Sequence, residues 1–253
     1  MLNLMTRHFE LVLLSILLAA CSSVETSPTG PDPAEMTASE LFNGESPLYL
    51  VHFVEREDCA GLRTAKSEGA EIDVKGHGGA SLLYYALREG YVSAFRCLIE
   101  LGADVDQYLD QTPLISIAAS QQDTAFLEAL LAGGANPNSR SRVTGRPALF
   151  SAVMGGQRNV ELLLEYGGDP NVEVMSTVET EMFPMEGMTA IMTSAAIQNP
   201  DILSYLLDHG ADICARDSAG RTLSHYLDVY DWSKASSEIQ HFIEGLKRKL
   251  ADC

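Results

Sequence analysis

Several features are scarce or absent in this sequence, and each absence argues against a class of function. Only 17 of the 253 residues are lysine or arginine, against 35 aspartate and glutamate, so the net charge is −18 at pH 7. A surface of that sign repels nucleic acid and anionic lipid. No CxxC pair, HExxH motif, GxSxG elbow or Walker loop occurs. We therefore expect neither an enzyme nor a cofactor site of those types.

A long apolar run is also missing. The apolar run near the N-terminus covers ten residues, Leu11 to Ala20, whereas a transmembrane helix needs about twenty. It follows Arg7 and precedes small residues, which is the pattern of a secretory signal peptide. The run ends in Leu-Ala-Ala-Cys21, which resembles the bacterial lipobox, where cleavage precedes a cysteine that receives acyl chains. Met5 is an alternative initiator to the first residue.

The lipobox resemblance implies a cellular location and a lipid anchor. Residues 1–20 would be the signal peptide, and Cys21 would be the lipidated first residue of the mature chain. Ser22 follows rather than aspartate, which by the sorting rule of such lipoproteins implies the periplasmic side of the outer membrane. Residues 21–36 are rich in serine, threonine and proline, so we predict a flexible tether there. The alternative is an ordinary signal peptide followed by an incidental cysteine.

The rest of the chain, residues 37–253, is predicted to be one repeat domain. Short closures of glycine, a small residue and an acidic or amide residue recur at steps of 33, 32, 33 and 43 residues. Openings related to Thr-Pro-Leu-His lie upstream of the closures, most clearly Thr112-Pro113-Leu114. The closures begin at Gly69, Gly102, Gly134, Gly167 and Gly210.

A period of 33 with such openings resembles the ankyrin-repeat family, from about residue 47 to the C-terminus. The resemblance implies an all-α solenoid of about five to six helix-turn-helix repeats, joined by β-hairpin loops of which one is extended. Leucines at helical spacing precede each closing glycine, which is expected to end the helix in a left-handed cap. The first segment, with its Thr37-Ala38-Ser39-Glu40 capping box, and the amphipathic stretch to Leu250 are predicted to cap the array.

The 43-residue step marks an insertion of about ten residues between Asn171 and Glu186, with an alternation that predicts an extended hairpin. Ankyrin-repeat proteins bind through hairpin tips and inner helices, so the resemblance implies that side chains there contact a partner. Each group of side chains also has an explanation without a partner. The insertion could be a tolerated surface loop, the arginines could be neutralised by nearby acids, and the tyrosines could pack between repeats. The predicted partner-binding residues are Tyr85, Tyr108, Arg140, Arg142, Glu179, Glu181, Met182 and Phe183.

Sulfur-containing residues leave two questions open. Besides Cys21, four cysteines remain, and a periplasmic location permits disulfides. Cys59 and Cys97 lie in neighbouring repeats, although a cysteine at an apolar helical position is equally typical of a core. Pairing is likewise open for the other two, Cys214 and Cys253. The methionines Met182, Met185, Met188 and Met192 fit a Cu(I) site as one alternative, but the last two fall in a repeat opening and are expected to be core.

These features predict a lipid-anchored periplasmic scaffold that binds one protein partner. The chain is similar to the immunity lipoproteins that neutralise lipid-degrading effectors delivered by contact-dependent secretion. That similarity implies a secreted phospholipase-type partner. The alternatives are an envelope scaffold that supports a periplasmic enzyme or a cell-wall complex, and a methionine-rich copper-handling protein.

Overall fold

The computed structural model describes residues 32–42, 45–175, 185–229, 231–251 and 253. Within these ranges no helix is both long enough and apolar enough to cross a membrane. A short antiparallel pair of strands, β1 (Tyr108–Leu109) and β2 (Thr112–Pro113), lies between helices. The helices are α1 (Ala38–Leu41), α2 (Glu45–Glu55), α3 (Cys59–Ser67), α4 (Leu82–Glu89), α5 (Val92–Glu100), α6 (Leu114–Ala119), α7 (Ala125–Ala132), α8 (Ala148–Gly155), α9 (Gln157–Glu165), α10 (Ala190–Ala196), α11 (Pro200–Asp208), α12 (Leu223–Asp228) and α13 (Ser237–Leu250).

From α2 onward the helices form successive antiparallel pairs that stack into a two-layer solenoid. The outer helices α3, α5, α7, α9 and α11 contact one another in turn, and the inner helices α6, α8, α10 and α12 do the same. Six helix pairs result from α2 to α13, which confirms the predicted helical repeat architecture. Each pair buries only part of its apolar surface, so stacking completes the core.

The closing glycines end the outer helices as predicted. Gly102, Gly134 and Gly167 have φ values of 86°, 92° and 88°, in the left-handed region that side chains disfavour. At Gly134, a Cβ would meet no atom within 4 Å. The requirement for glycine is therefore conformational and not a matter of space.

The acidic or amide residue that ends each closure links its repeat to the next one. The Oδ1 atom of Asp73 accepts a hydrogen bond from the backbone N–H of Asp104 at 2.9 Å. Three further closures repeat this contact, so a ladder of hydrogen bonds runs along the base of the loops. The further pairs are Asp106 with Asn136, Asn138 with Asp169, and Asn171 with Asp212, at 2.8, 2.8 and 2.7 Å.

The core runs through every repeat. Helix α10 is buried along its whole length, including two hydroxyl side chains. Thr193 and Ser194 donate to the carbonyl oxygens of Thr189 and Ile191 at 3.0 and 2.8 Å, so their burial leaves no donor unpaired. Met188 and Met192 are 7% and 0% exposed, which confirms the expectation that these two methionines are core residues.

The two ends of the array are closed by atypical elements. At the N-terminus, the capping box of Thr37 and Glu40 starts α1 as predicted. The segment before it also packs on the solenoid, because an Nη atom of Arg88 donates to the carbonyl oxygens of Pro33 and Met36 at 2.7 and 2.8 Å. The ordered domain thus extends at least five residues upstream of residue 37. The remaining part of the predicted tether, the signal peptide and Cys21 lie outside the described residues.

The cysteines that the sequence left open are paired. Cys59 in α3 and Cys97 in α5 form a disulfide, with their Cα atoms 5.8 Å apart. Cys214, which ends the fifth closure in place of an aspartate or asparagine, pairs with Cys253 at a Cα separation of 5.2 Å. All four cysteines of the described chain are therefore in disulfides.

Candidate protein-binding surface

The loops between helix pairs form a row along one edge of the solenoid. They are loop 1 (residues 73–80), loop 2 (104–113), loop 3 (136–147), loop 4 (169–189) and loop 5 (212–222). A backbone hydrogen bond joins each loop to the one before it, so the row is one connected surface. The donor and acceptor residues are Asp110 and Gly78, Arg142 and Gln111, Met175 and Gly145, and Ser218 and Glu186, at 2.6, 2.9, 3.2 and 2.9 Å.

Loop 4 contains the predicted insertion, and its stem is an antiparallel hairpin as the residue alternation indicated. The N–H of Val174 donates to the carbonyl of Met188 at 2.9 Å, and the N–H of Gly187 donates to Val174 at 2.8 Å. An isolated bridge between Glu173 and Thr189 extends the stem. Residues 176–184 lie outside the described residues, and with them the predicted contact residues Glu179, Glu181, Met182 and Phe183.

Loop 3 holds both sides of that stem. The Arg140 guanidinium donates to the carbonyl oxygens of Glu173 and Gly145, and Arg146 donates to the Met185 sulfur at 3.5 Å. Gly145, with a φ of 61°, lies so close that a Cβ there would be 1.6 Å from the carbonyl oxygen of Met175. Arg140, predicted to bind a partner, thus positions loop 4, and Arg146 shares this task although the sequence did not single it out.

Arg142 is exposed on this surface and is stacked on the half-buried Tyr108. The Arg142 guanidinium carbon lies 3.8 Å from the centre of the Tyr108 ring, a cation–π contact that fixes a flexible side chain. Arg142 is exposed, and within the described ranges it takes part in no ion pair. The structure therefore brings together two predicted contact residues and leaves the arginine N–H groups accessible to a carboxylate.

Tyr85, one of the predicted contact residues, is packed in the core and exposes little of its side chain. Its side chain is 5% exposed, and its ring packs edge-on against Phe42. Its hydroxyl donates to a Glu55 carboxylate oxygen at 2.9 Å. Burial, and next the bond to Glu55, raise the pKa of Tyr85. The packing of residues 32–42 over α4, which the sequence did not reveal, explains why Tyr85 is a core residue; Tyr84 is buried as expected.

A neutral strip lies beside the loops on the inner helices. Helices α6, α8 and α10 contain no charged residue, although the whole chain carries a net charge of −18. Four of the side chains on or just beyond these helices are half-buried and not part of the fully buried core: Ile117, Ser151, Met154 and Ile197. Each of these helices starts where a loop ends, so the strip and the loop row are continuous. A neutral, partly apolar centre bordered by polar groups is the usual anatomy of a protein-binding surface.

Loop 5 contains a buried carboxylate that sequence reasoning missed. Asp217 accepts hydrogen bonds from the Arg221 Nε atom and the Tyr226 hydroxyl, both at 2.6 Å. Burial alone would raise the pKa of Asp217, but the bonds from Tyr226 and Arg221 outweigh burial and lower it. The only available sequence signal was the four-residue spacing of Asp217 and Arg221, which is common on exposed surfaces as well. This cluster holds loop 5 in shape.

The described residues contain no group of three or more histidine, cysteine, aspartate or glutamate side chains arranged to hold a metal ion. Of the methionines considered for copper, Met188 and Met192 are in the core, Met185 contacts Arg146, and Met182 lies outside the described residues.

Comparisons with known proteins agree with this geometry. A family model described as "Ankyrin repeats (3 copies)" matches residues 105–174, and one described as "Ankyrin repeat" matches residues 186–218. Protein PhlB from Serratia liquefaciens is 35% identical over 117 residues, which cover 46% of this chain and 51% of PhlB. The ANK repeat-containing protein nipk-1 from Caenorhabditis elegans is 34% identical over 134 residues, which cover 49% of this chain and 21% of the relative. The chain thus spans about half the length of the first relative and a fifth of the second.

Solved structures show the same fold. The ankyrin repeat protein EF0377 superposes with a TM-score of 0.64 and 23% identity, over 78% of this chain and 98% of EF0377. The ankyrin repeat domain ABAYE2397 from Acinetobacter baumannii AYE superposes with a TM-score of 0.63 and 23% identity, over 79% of this chain and 98% of that domain. Ankyrin-repeat proteins are generally non-catalytic scaffolds for protein–protein interaction. With its left-handed glycine closures and stacked helix pairs, this chain has the ankyrin-repeat fold and is similar to ankyrin-repeat proteins.

Proposed function

We propose that this protein is a periplasmic, membrane-anchored scaffold that binds one protein partner through the loop row and the neutral strip. The observation that carries the proposal is the exposed Arg142 side chain, which is stacked on Tyr108 at 3.8 Å and unpaired by any described carboxylate. An ordered arginine loses little side-chain entropy when a partner carboxylate binds it. The neighbouring neutral strip offers apolar area without the cost of desolvating charges.

The location is part of the proposal. Leu-Ala-Ala-Cys21 supports lipid attachment at Cys21 on the periplasmic side of the envelope, with Ser22 favouring the outer membrane. The two disulfides, Cys59–Cys97 and Cys214–Cys253, support an oxidising compartment, because cytosolic proteins rarely keep disulfides. Several acyl chains on one cysteine would anchor the chain stably.

The proposed role is that of an immunity or inhibitor protein that neutralises a secreted phospholipase-type effector. A lipid-anchored inhibitor meets a lipid-degrading enzyme at the surface where that enzyme acts. The net charge of −18 would also speed encounter with a basic partner. We propose no catalytic activity for the chain itself.

Deletion of the gene tests the proposed role in cells. We expect the deletion strain to be lysed by sibling cells that deliver the active effector, and to be rescued by the full chain but not by Cys21→Ala. Sensitivity is scored by competition against siblings with active or inactive effector. Full resistance of the deletion strain would rule the role out. An envelope-stress phenotype in monoculture, without sensitivity to siblings, would favour the envelope scaffold instead.

The contact surface is tested with a charge reversal. Arg142→Glu should weaken binding of a candidate effector, such as a phospholipase encoded beside this gene, by roughly tenfold to a hundredfold, as expected for loss of a charge-assisted hydrogen bond. Arg63→Glu is the control, because Arg63 is also an exposed arginine but lies on the outer helix α3, where it pairs with Glu100. Affinities measured by calorimetry that are equal for both variants would exclude Arg142 from the interface.

A further inference from the structure

The disulfides connect the two ends of the solenoid to its body. Cys59 begins α3, in the first helix pair, and Cys97 lies in α5, in the second pair. Cys214 follows the fifth closure, and Cys253 follows the last helix, α13. Residues 98–213 contain no cysteine, so the central helices α6 to α11 are held by packing and hydrogen bonds without any covalent link.

The linked ends are also the least regular repeats. Ankyrin-repeat models match residues 105–174 and 186–218, and they match neither the residues before 105 nor those after 218. In the fifth closure Cys214 replaces the side chain that accepts the inter-repeat hydrogen bond in the four earlier closures. A terminal repeat has a neighbour on one side only, so it gains half of the interface energy that an internal repeat gains. A covalent link at each end offsets that deficit.

The two disulfides differ in accessibility. Cys97 is 2% exposed and packs among the core residues, and its partner Cys59 is half-buried. By contrast, Cys214 is exposed, and Cys253 is half-buried at the end of the described chain. A thiolate attacks a disulfide along the S–S axis, so the rate of exchange depends on access to a sulfur atom.

We propose that the disulfides are two latches of unequal accessibility, which hold the terminal caps on a central array that folds without them. The C-terminal latch, Cys214–Cys253, exchanges with a thiol while the protein stays folded. The N-terminal latch, Cys59–Cys97, exchanges only after the first helix pair has moved away from α5. The C-terminal cap is therefore the redox-sensitive end of the molecule.

The chemistry of each latch is a two-electron exchange. When a latch closes, two thiols lose two protons and two electrons, one S–S bond forms, and a disulfide oxidant is reduced to its dithiol. When dithiothreitol opens a latch, its thiolate forms a mixed disulfide with one cysteine and releases the other as a thiolate. The second thiol of the reagent then closes its own disulfide ring and releases the first cysteine.

Timed reduction of the folded, full chain tests the order of opening. The protein, purified from membranes in mild detergent, is treated with dithiothreitol, quenched with N-ethylmaleimide and mapped by peptide mass spectrometry. We expect Cys214 and Cys253 to be labelled at least about tenfold faster than Cys59 and Cys97, because access limits exchange. Labelling of all four at one rate, or of Cys59 and Cys97 first, would overturn the proposal.

Hydrogen exchange on two double variants tests the independence of the central array. Cys214→Ala with Cys253→Ala should lose amide protection only in α12 and α13, and Cys59→Ala with Cys97→Ala only in α1 to α5. Protection in α6 to α11 should match that of the unmodified protein in both variants. A variant that is unfolded throughout, or that keeps full protection at its affected end, would contradict the latch assignment.

Discussion

At the scale of single residues, Asp217 is a buried charge that depends on its hydrogen-bond partners. Its carboxylate side chain is fully buried against Arg221 and receives hydrogen bonds from Arg221 and Tyr226 at 2.6 Å. Because these bonds lower its pKa in the folded state, the ionised form stabilises the fold. Its stabilising effect is complete above the unfolded pKa of about 4 and is lost as pH falls through the lower folded value.

Replacing Asp217 with asparagine should therefore destabilise the protein by about 1.5–3 kcal/mol at pH 7, the usual worth of hydrogen bonds to a charged group. The deficit should shrink as pH falls from about 4, where the unfolded carboxyl begins to bind a proton, through the lower pKa of the native carboxylate. Urea unfolding followed by circular dichroism at pH 7 and below pH 4 measures it. Asp208→Asn, at an exposed position on α11, is the control. An equal loss in both variants, or one independent of pH, would contradict this account.

At the scale of elements, neighbouring loops support one another through hydrogen bonds. A backbone carbonyl in each of loops 1 to 4 accepts a hydrogen bond from an N–H of the next loop. The side-chain ladder that begins with Asp73 and Asp104 adds a second contact between neighbours. Loop 4 depends most on this support, since Arg140 and Gly145 of loop 3 hold the strand that leads into it. The described stem of loop 4 is thus held in position by loop 3.

Gly145→Ala tests this dependence. Alanine at a φ of 61° costs about 1–2 kcal/mol in any loop, but here its Cβ would also meet the Met175 carbonyl oxygen at 1.6 Å. We expect a further loss of about 1–3 kcal/mol from the forced separation of loops 3 and 4, together with faster amide exchange at Met175. Gly220→Ala is the control, because its φ of 73° gives similar strain and its Cβ would meet nothing within 4 Å. Similar losses in both variants would show that the loop contact is unimportant.

At the scale of the whole molecule, the disulfides stabilise the fold and the net charge destabilises it. The disulfides join cysteines 38 and 39 residues apart, and in the chain-entropy model each stabilises the fold by about 4 kcal/mol. The net charge of −18 acts against the compact state, because like charges repel within a few Debye lengths. A partner with a basic surface would relieve part of that repulsion.

Added salt should therefore raise the stability of the free protein. At pH 7.5, we expect the melting temperature to rise by a few degrees, roughly 2–5 °C, between 10 and 300 mM NaCl, because screening weakens the self-repulsion. The rise should shrink near the sequence isoelectric point of about 4.6. Differential scanning calorimetry on the oxidised protein measures the rise in melting temperature at pH 7.5 and near the isoelectric point. A melting temperature that falls or stays constant with salt at pH 7.5 would show that charge repulsion is not a significant term.

Local chemistry explains which parts of the fold were predictable. Gly134 and its counterparts end helices because the left-handed conformation is a property of the residue itself. Thr37 caps α1 through its own side chain. The core positions of Met188 and Met192 follow from their place in a repeat opening. Each of these depends on a few neighbouring residues, so the sequence alone was sufficient for the repeat, its register and its helical caps.

The candidate surface was only partly predictable, because it depends on contacts between segments far apart in the chain. Tyr108 and Arg142 are 34 positions apart, and only the stacking of loops 2 and 3 places one on the other. Tyr85 is buried because residues 32–42 pack over α4, and no local sequence pattern indicates that packing.

By itself, the sequence of this protein determined a stack of ankyrin repeats with an extended fourth loop and capped ends. A repeat with a 33-residue period has one efficient way to bury its leucines, which is to pack on the next repeat. Only the tertiary structure decided which cysteines pair, which arginine stays accessible and which tyrosine is buried. Those outcomes depend on distances between atoms of different repeats, and such distances exist only once the repeats have stacked.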